Sequence, residues 1–333
     1  MTCKAMTCRV MLLVRLTAVA FFLAAPASGA GAEPVPELPS LIRIVVPYPA
    51  GGPTDLFARV VANGLKDQLN RNVIVENRPG AGGVLGSSYV AKAPGDGGTL
   101  LLGLLGPLAI GPATATIPFD PVKELAPIRL VATVPPVLVV SKKLGVKSVA
   151  ELVSAATAAP GKLNFASAGS GSLLHMLGEQ LNREASIDMM HVPYKGGAAA
   201  VMAILSGEAD VLFADATVLR PHIESGNAVA LAVTSAERDP LLPNIPTFAE
   251  SGHPGMTSES WYGILAPGGT SPELVKILED AVSAVLDSAD VRATFAKQGA
   301  QIPVSSAAQF STYLAAQVAK WGKIAREVAA KAN

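Results

Sequence analysis

Residues 41–55 read LIRIVVPYPAGGPTD, and the fold follows from this stretch. The β-branched run at 41–46 is typical of a buried strand, and it ends in a loop of proline and glycine. Apolar residues then recur at helical spacing, at Leu56, Val60, Leu65 and Leu69. A strand, a short loop and a helix in this order form one βα unit, the building block of α/β proteins.

The same alternation continues along the chain. Further strands are predicted at 73–76, 99–103, 163–166, 191–192 and 211–213, and further helices at 86–92, 173–183 and 198–205. The C-terminal third is predicted to be mainly helical, and its last helix, at about 307–331, carries apolar side chains for packing. This pattern predicts an α/β fold with mainly parallel sheets flanked by helices.

The length of 333 residues exceeds the usual size of one core and favours two lobes. Two apolar runs, at 131–140 and 229–233, bracket a middle segment that has βα units of its own. We expect these runs to carry the chain from one lobe to the other and back.

The first 32 residues are predicted to be a signal peptide that is cleaved near Ala32. They hold three basic residues and no acidic one, continue in an apolar run at 16–25 and end on small residues at 30–32. The apolar run is shorter than the roughly 20 residues that a membrane span needs. We therefore expect a mature chain that is exported to the periplasm.

Composition excludes several classes of function for this mature chain. Both cysteines, Cys3 and Cys8, lie in the leader, so no thiol remains for a disulfide, a nucleophile or a metal site. Removal of the leader leaves 23 basic and 26 acidic residues, so there is no basic surplus for nucleic acid. The four histidines lack metal-ligand spacing, no serine lies in a GxSxG elbow, and no P-loop spacing is present. We expect a protein without metal, cofactor or catalytic residues, and hence not an enzyme.

The loop between the first strand and the first helix is the first candidate site. Its glycines, Gly51 and Gly52, let backbone N–H groups approach a ligand, and a helix start favours an anion. No lysine follows these glycines, so a carboxylate fits better than a phosphate. The alternative is a strand-to-helix turn whose residues serve only its geometry and capping.

Other loops at strand ends are the remaining candidates. Residues 167–172 (SAGSGS) offer hydroxyl donors for a carboxylate, or else a turn in which Ser172 caps a helix. In the loop at 192–197 (VPYKGG), Lys195 either binds a second acidic group of a ligand or is solvated. Asp215, which follows a predicted strand, either accepts a hydrogen bond from a ligand amine or caps a helix.

At these loops the sequence resembles the tripartite tricarboxylate transporter receptors, periplasmic solute-binding proteins that are also called Bug receptors. The resemblance rests on co-linear motifs from about residue 42 to residue 270: IRIVVPYPAGGPTD, VENRPGAGG, VLGSSYVAKA, PGDGGTLLLG, GKLNFASAGSGSLLHMLGE, HVPYKGGAAA, LAVTSAERDPLLPNIPTFAESG and WYGILAPGGT. They cover nearly the whole mature chain.

The resemblance implies a two-lobed periplasmic-binding-protein fold, similar to type II, with the ligand cleft between the lobes. Lobe 1 is then formed by 41–135 and 235–333, and lobe 2 by 136–234. The implied ligand is a di- or tricarboxylate, an acidic amino acid or an aromatic acid, and the implied partners are membrane permease subunits. We expect a monomer. The ligand-binding residues carried over by the resemblance are Tyr48, Ala50, Gly51, Gly52, Thr54, Asp55, Ser87, Ser167, Gly171, Ser172, Tyr194, Lys195 and Asp215.

Two departures from the family pattern concern the cleft. Tyr48 stands where the family often has phenylalanine, and residues 104–115 (LLGPLAIGPATA) are apolar where relatives often carry polar groups. The second departure suggests an apolar or aromatic ligand body. Two other functions stay open: a sensor that docks to a membrane sensor protein, and an exported hydrolase.

Overall fold

The computed structural model describes residues 37–332, and the predicted signal peptide therefore lies outside the described residues. Within this range no helix combines the length and the apolar character that crossing a bilayer requires.

This part of the chain forms ten strands and ten α-helices. The strands are β1 Leu41–Val46, β2 Asn72–Asn77, β3 Thr99–Leu104, β4 Leu125–Val134, β5 Pro136–Ser141, β6 Asn164–Ser167, β7 Met190–Pro193, β8 Val211–Asp215, β9 Ala228–Val233 and β10 Ser260–Pro267. The helices are α1 Pro53–Leu69, α2 Val84–Ala91, α3 Gly111–Thr114, α4 Val149–Ala158, α5 Leu173–Glu184, α6 Gly197–Ser206, α7 Ala216–Glu224, α8 Pro272–Asp287, α9 Ala289–Lys297 and α10 Ala307–Ala332.

The strands form two sheets of five. The first sheet has the order β2-β1-β3-β10-β4, and the second has the order β7-β6-β8-β5-β9. The α/β class is confirmed. The βα units pair in parallel as predicted, with β1 beside β2 and β3, and β6 beside β7 and β8.

Each sheet is nevertheless mixed, where mainly parallel sheets were predicted. β10 runs antiparallel between β3 and β4, and β5 runs antiparallel between β8 and β9. The predicted run at 131–140 is in fact the end of β4 and most of β5, which Pro135 alone separates. β5 follows β4 of the other sheet directly, so no crossover helix, which parallel pairing needs, joins it to the βα strands.

β10 was not predicted as a strand, although its eight residues are all buried. It packs in the first sheet, where Trp261 meets Phe310 of α10 edge to face with ring centroids 5.7 Å apart. Phe310, Leu314 and Trp321 of α10 are buried, as expected for a helix that packs through one face.

The core of the first sheet follows from the alternation in β1. Ile42, Ile44 and Val46 are fully buried together with Phe57 of α1 and Val282 of α8. Helices α1 and α8 thus hold β1 in place by packing against it. The loops that follow β1, β3, β6, β7 and β8 lie at the carboxyl ends of these strands, which is where α/β proteins bind ligands.

Candidate functional site

A cavity of about 260 Å³ lies among these loops and is lined by residues from both sheets. Eight of the predicted residues line it: Tyr48, Ala50, Gly51, Gly52, Thr54, Ser172, Lys195 and Asp215. Most of its other lining residues are apolar or glycine, among them Leu104, Leu105, Leu173, Leu174, Val218 and Gly197. The cavity therefore combines backbone donors with an apolar wall.

The loop after β1 presents the start of α1 to the cavity. Gly51 has a positive φ of 92°, and Gly52 is the N-cap residue without a side chain that could cap the helix. A Cβ atom built on Gly52 would meet no heavy atom within 4 Å. The first N–H groups of a helix lack partners within it, so this end of α1 can donate to an anion.

Asp55 holds this loop in place and does not line the cavity. Its carboxylate accepts hydrogen bonds from the Gly51 N–H at 3.1 Å, from Arg59 Nε at 2.9 Å and from Asn77 Nδ2 at 3.1 Å. Burial raises the pKa of Asp55, but these hydrogen bonds outweigh burial and leave the pKa below its ordinary value. Asp55 therefore shapes the donor loop from behind.

The loop after β6 brings Ser172 to the cavity. The Ser172 hydroxyl caps α5 by accepting from the His175 N–H at 3.2 Å, and it donates to the Gly169 carbonyl at 2.7 Å. Gly171 does not line the cavity, and its N–H donates to His175 Nδ1 at 3.2 Å. Ser172 is therefore both a cap and a wall of the cavity, so the two interpretations of its role are compatible.

Behind this loop two histidine rings stack on each other. The centroids of His175 and His191 are 3.8 Å apart, and His191 Nε2 lies 2.7 Å from the Ser167 hydroxyl. Burial, with a smaller contribution from His175, lowers the pKa of His191 to about 4. Ser167 is fully buried and also accepts from the Gly169 N–H, so it supports the loop without lining the cavity.

The loop after β7 contributes Lys195, Gly196 and Gly197. Gly196 is the N-cap of α6, with a positive φ of 102° and no side-chain cap, so α6 offers a second glycine-lined helix start. Lys195 is exposed at the edge of the cavity. Tyr194 does not line the cavity, and its hydroxyl donates to Glu208 at 3.1 Å.

Three of the predicted residues remain to be described, beginning with Ser87 and Tyr48. Ser87 is fully buried in α2, where its hydroxyl donates to the Gly83 carbonyl at 2.9 Å, and it does not line the cavity. Tyr48 does line it, and its hydroxyl donates to the Gly82 carbonyl at 3.0 Å. Burial raises the pKa of Tyr48 to about 12, so the phenol stays protonated.

Asp215 occupies the N-cap position of α7, but its side chain does not cap the helix. Its two carboxylate oxygens instead accept from the Ser260 hydroxyl, at 2.6 Å, and from the Tyr262 hydroxyl. Both partners belong to β10 of the first sheet, and both line the cavity. Neither was predicted, since β10 was not recognised as a strand; its run of eight apolar and small residues before Gly268-Gly269 is the signal that could have revealed it.

The apolar segment at 104–115 contributes less to the cavity than its sequence suggests. Leu104, Leu105 and Gly106 line the cavity, whereas Leu108 and Ile110 are fully buried in the hydrophobic core with α10. Part of its apolar character therefore serves packing.

Two sheets with a cavity between their loops define the fold of a periplasmic solute-binding protein. MatC from Rhodopseudomonas palustris, solved with bound malate, has 31% sequence identity and a TM-score of 0.81 over 86% of this chain and 98% of its own. A second R. palustris protein, solved with adipate, has 33% identity and a TM-score of 0.82 over 87% of this chain and 97% of its own.

The chain belongs to the tripartite tricarboxylate transporter family of receptors, whose family model matches residues 57–330. Protein BugT from Bordetella pertussis is 38% identical over 313 residues, which make up 93% of this chain and 94% of that relative. The resemblance inferred from the motifs is thereby confirmed.

Proposed function

We propose that this protein is a periplasmic receptor that captures a small organic carboxylate for a tripartite permease in the inner membrane. In this proposal residues 41–135 and 235–333 form one lobe, residues 136–234 form the other, and the cavity between them is the ligand site. The receptor acts as a monomer and releases its ligand chemically unchanged.

The observation that carries the proposal is the convergence of helix starts on one cavity. The N-cap residues of α1, α5 and α6, namely Gly52, Ser172 and Gly196, all line it. The first turns of α5 and α6 contain no acidic residue. The first turn of α1 contains Asp55, whose charge is paired with Arg59. Helix N-termini carry partial positive charge, so three of them favour an anion together.

The chemistry of the walls indicates a carboxylate. Backbone N–H donors at the helix starts suit a planar, singly charged group, and apolar residues such as Leu173 and Val218 suit a carbon skeleton. The relatives that were solved with malate and with adipate are consistent with this ligand class.

Binding is tested by calorimetry on the mature chain, residues 33–333. The protein is unfolded and refolded to strip any bound ligand, then titrated with a panel of mono-, di- and tricarboxylates and amino acids. We expect saturable binding of at least one acid, which is recovered unaltered after prolonged incubation. If no compound of the panel binds, the proposal is rejected. If the bound acid is converted to a product, the protein is an enzyme.

The transport role needs a separate measurement. Membrane vesicles that carry the cognate permease subunits of a tripartite tricarboxylate transporter should take up the bound acid only when the receptor is added. Binding without receptor-dependent uptake would favour a sensor over a transport receptor.

A further inference from the structure

The carboxylate of Asp215 is the one acidic group among the described residues that line the cavity. Asp215 ends β8 and keeps 8% of its surface exposed. Its side chain points away from the start of α7 and towards Ser260 and Tyr262 of β10. An acidic side chain thus lies in a wall whose neighbouring loops favour anions.

The Asp215 side chain lacks a positive partner within residues 37–332. The hydrogen-bond donors to Asp215 are two neutral hydroxyl groups, and no lysine, arginine or histidine pairs with it there. Lys195, the one basic residue among the described lining residues, is exposed. Burial raises the pKa of Asp215, while Ser260 and Tyr262 lower it in part. A buried carboxylate without a cation is costly, and a cationic ligand group would offset this cost.

The Asp215 carboxylate can accept further hydrogen bonds besides the two from β10. Each carboxylate oxygen has two lone pairs, and Ser260 and Tyr262 occupy one on each oxygen. Burial, followed by the charge of Asp215, raises the pKa of Tyr262 well above its ordinary value, so Tyr262 remains a donor. The free lone pairs can accept from an ammonium group, whereas a second carboxylate has no proton to donate and is repelled.

We propose that Asp215 forms a subsite for a protonated amine, and that the ligand is an amino acid with one carboxylate and an apolar body. The assignment rests on the proposed function, since the carboxylate is held at the starts of α1, α5 and α6. It deepens that function by excluding dicarboxylates as preferred ligands. The apolar wall, which includes Leu104, Leu174 and Val218, receives the side chain of the amino acid.

The test compares ligands that share a carbon skeleton and differ in one group. The wild-type mature chain is titrated with alanine, leucine and phenylalanine, with the corresponding acids that lack the amine (propionate, isocaproate and hydrocinnamate), with their α-hydroxy acids, and with succinate and adipate. We expect the best amino acid to bind about tenfold or more tightly than its deaminated and hydroxylated analogues, because a buried ionic hydrogen bond is lost in them.

The variant Asp215→Asn keeps the shape of the side chain and removes its charge. We expect it to reduce the preference for the amine to about twofold or less and to improve the relative affinity for adipate. Asp188→Asn is the matched control, because Asp188 is exposed and does not line the cavity. This control should keep the wild-type preference.

The possible failures are distinguishable. If none of the acids binds, the proposed function fails and the amine subsite fails with it. If deaminated acids, hydroxy acids or dicarboxylates bind wild type as tightly as the amino acids, the receptor stands and the subsite is refuted. An unchanged preference in Asp215→Asn also refutes the subsite, and if that variant does not fold, the wild-type comparison decides alone.

Discussion

The substitution Gly52→Val tests whether the start of α1 holds the ligand. Gly52 has φ −92° and ψ 175°, which is ordinary extended backbone, and a Cβ atom there meets nothing within 4 Å. The new side chain therefore enters open space at the cavity, which Gly52 lines. It should keep a ligand carboxylate away from the backbone N–H groups without disturbing the fold.

The expected loss follows from one charge-assisted hydrogen bond. A hydrogen bond to a charged group contributes about 1.5–3 kcal/mol, so the Kd should rise roughly 10- to 150-fold. Stability should change little, because Gly52 caps α1 without a side-chain hydrogen bond. A poorer N-cap costs less than about 1 kcal/mol, and the stiffer unfolded chain offsets part of it, so the Tm should shift by less than about 4 °C.

The assay is isothermal titration of the tightest-binding acid, with thermal denaturation measured in parallel. Gly269→Val is the matched control, because a Cβ atom at Gly269 also meets nothing within 4 Å and Gly269 does not line the cavity. The control should bind as wild type does. A Kd for Gly52→Val within about twofold of wild type would refute a role for this loop in binding.

Two further outcomes are expected. Ser172→Ala removes both the α5 cap and a cavity hydroxyl, so it should cost about 1 kcal/mol of unfolding free energy and also weaken binding; Ser148→Ala, which removes the cap of α4, should lower stability alone. Because burial lowers the pKa of His191 from 6.5 to about 4, the folded state resists its protonation, and stability should fall as pH falls through that range. Urea denaturation should show a weaker fall for His191→Gln, and parallel curves for the two proteins would contradict this account.

Local periodicity predicted most of the elements that build the site. The strands at 41–46 and 211–213 and the helix that follows the first of them lie close to their predicted positions, because spacing of apolar side chains reflects burial of one face. The loops at their ends were also located correctly, since glycine, proline and serine mark turns by their own backbone preferences.

The roles of individual loop residues were harder to predict. Asp55 lies in the first turn of α1 and Ser167 ends β6, next to the expected loops, yet their side chains face the supporting side and bind Arg59 and His191. Sequence position places a residue in a loop, but the direction of its side chain depends on partners from other elements.

The sequence by itself determined the α/β class, the family and the loops that favour an anion, because these depend on short-range patterns and on motifs. Only the tertiary structure decided that the sheets are mixed and that Asp215 meets Ser260 and Tyr262, which lie 45 and 47 positions further along the chain. Such contacts depend on how strands from different parts of the chain pair. The apolar run of β10 allows several pairings, and packing of the whole core selects the one that brings β10 to the cavity.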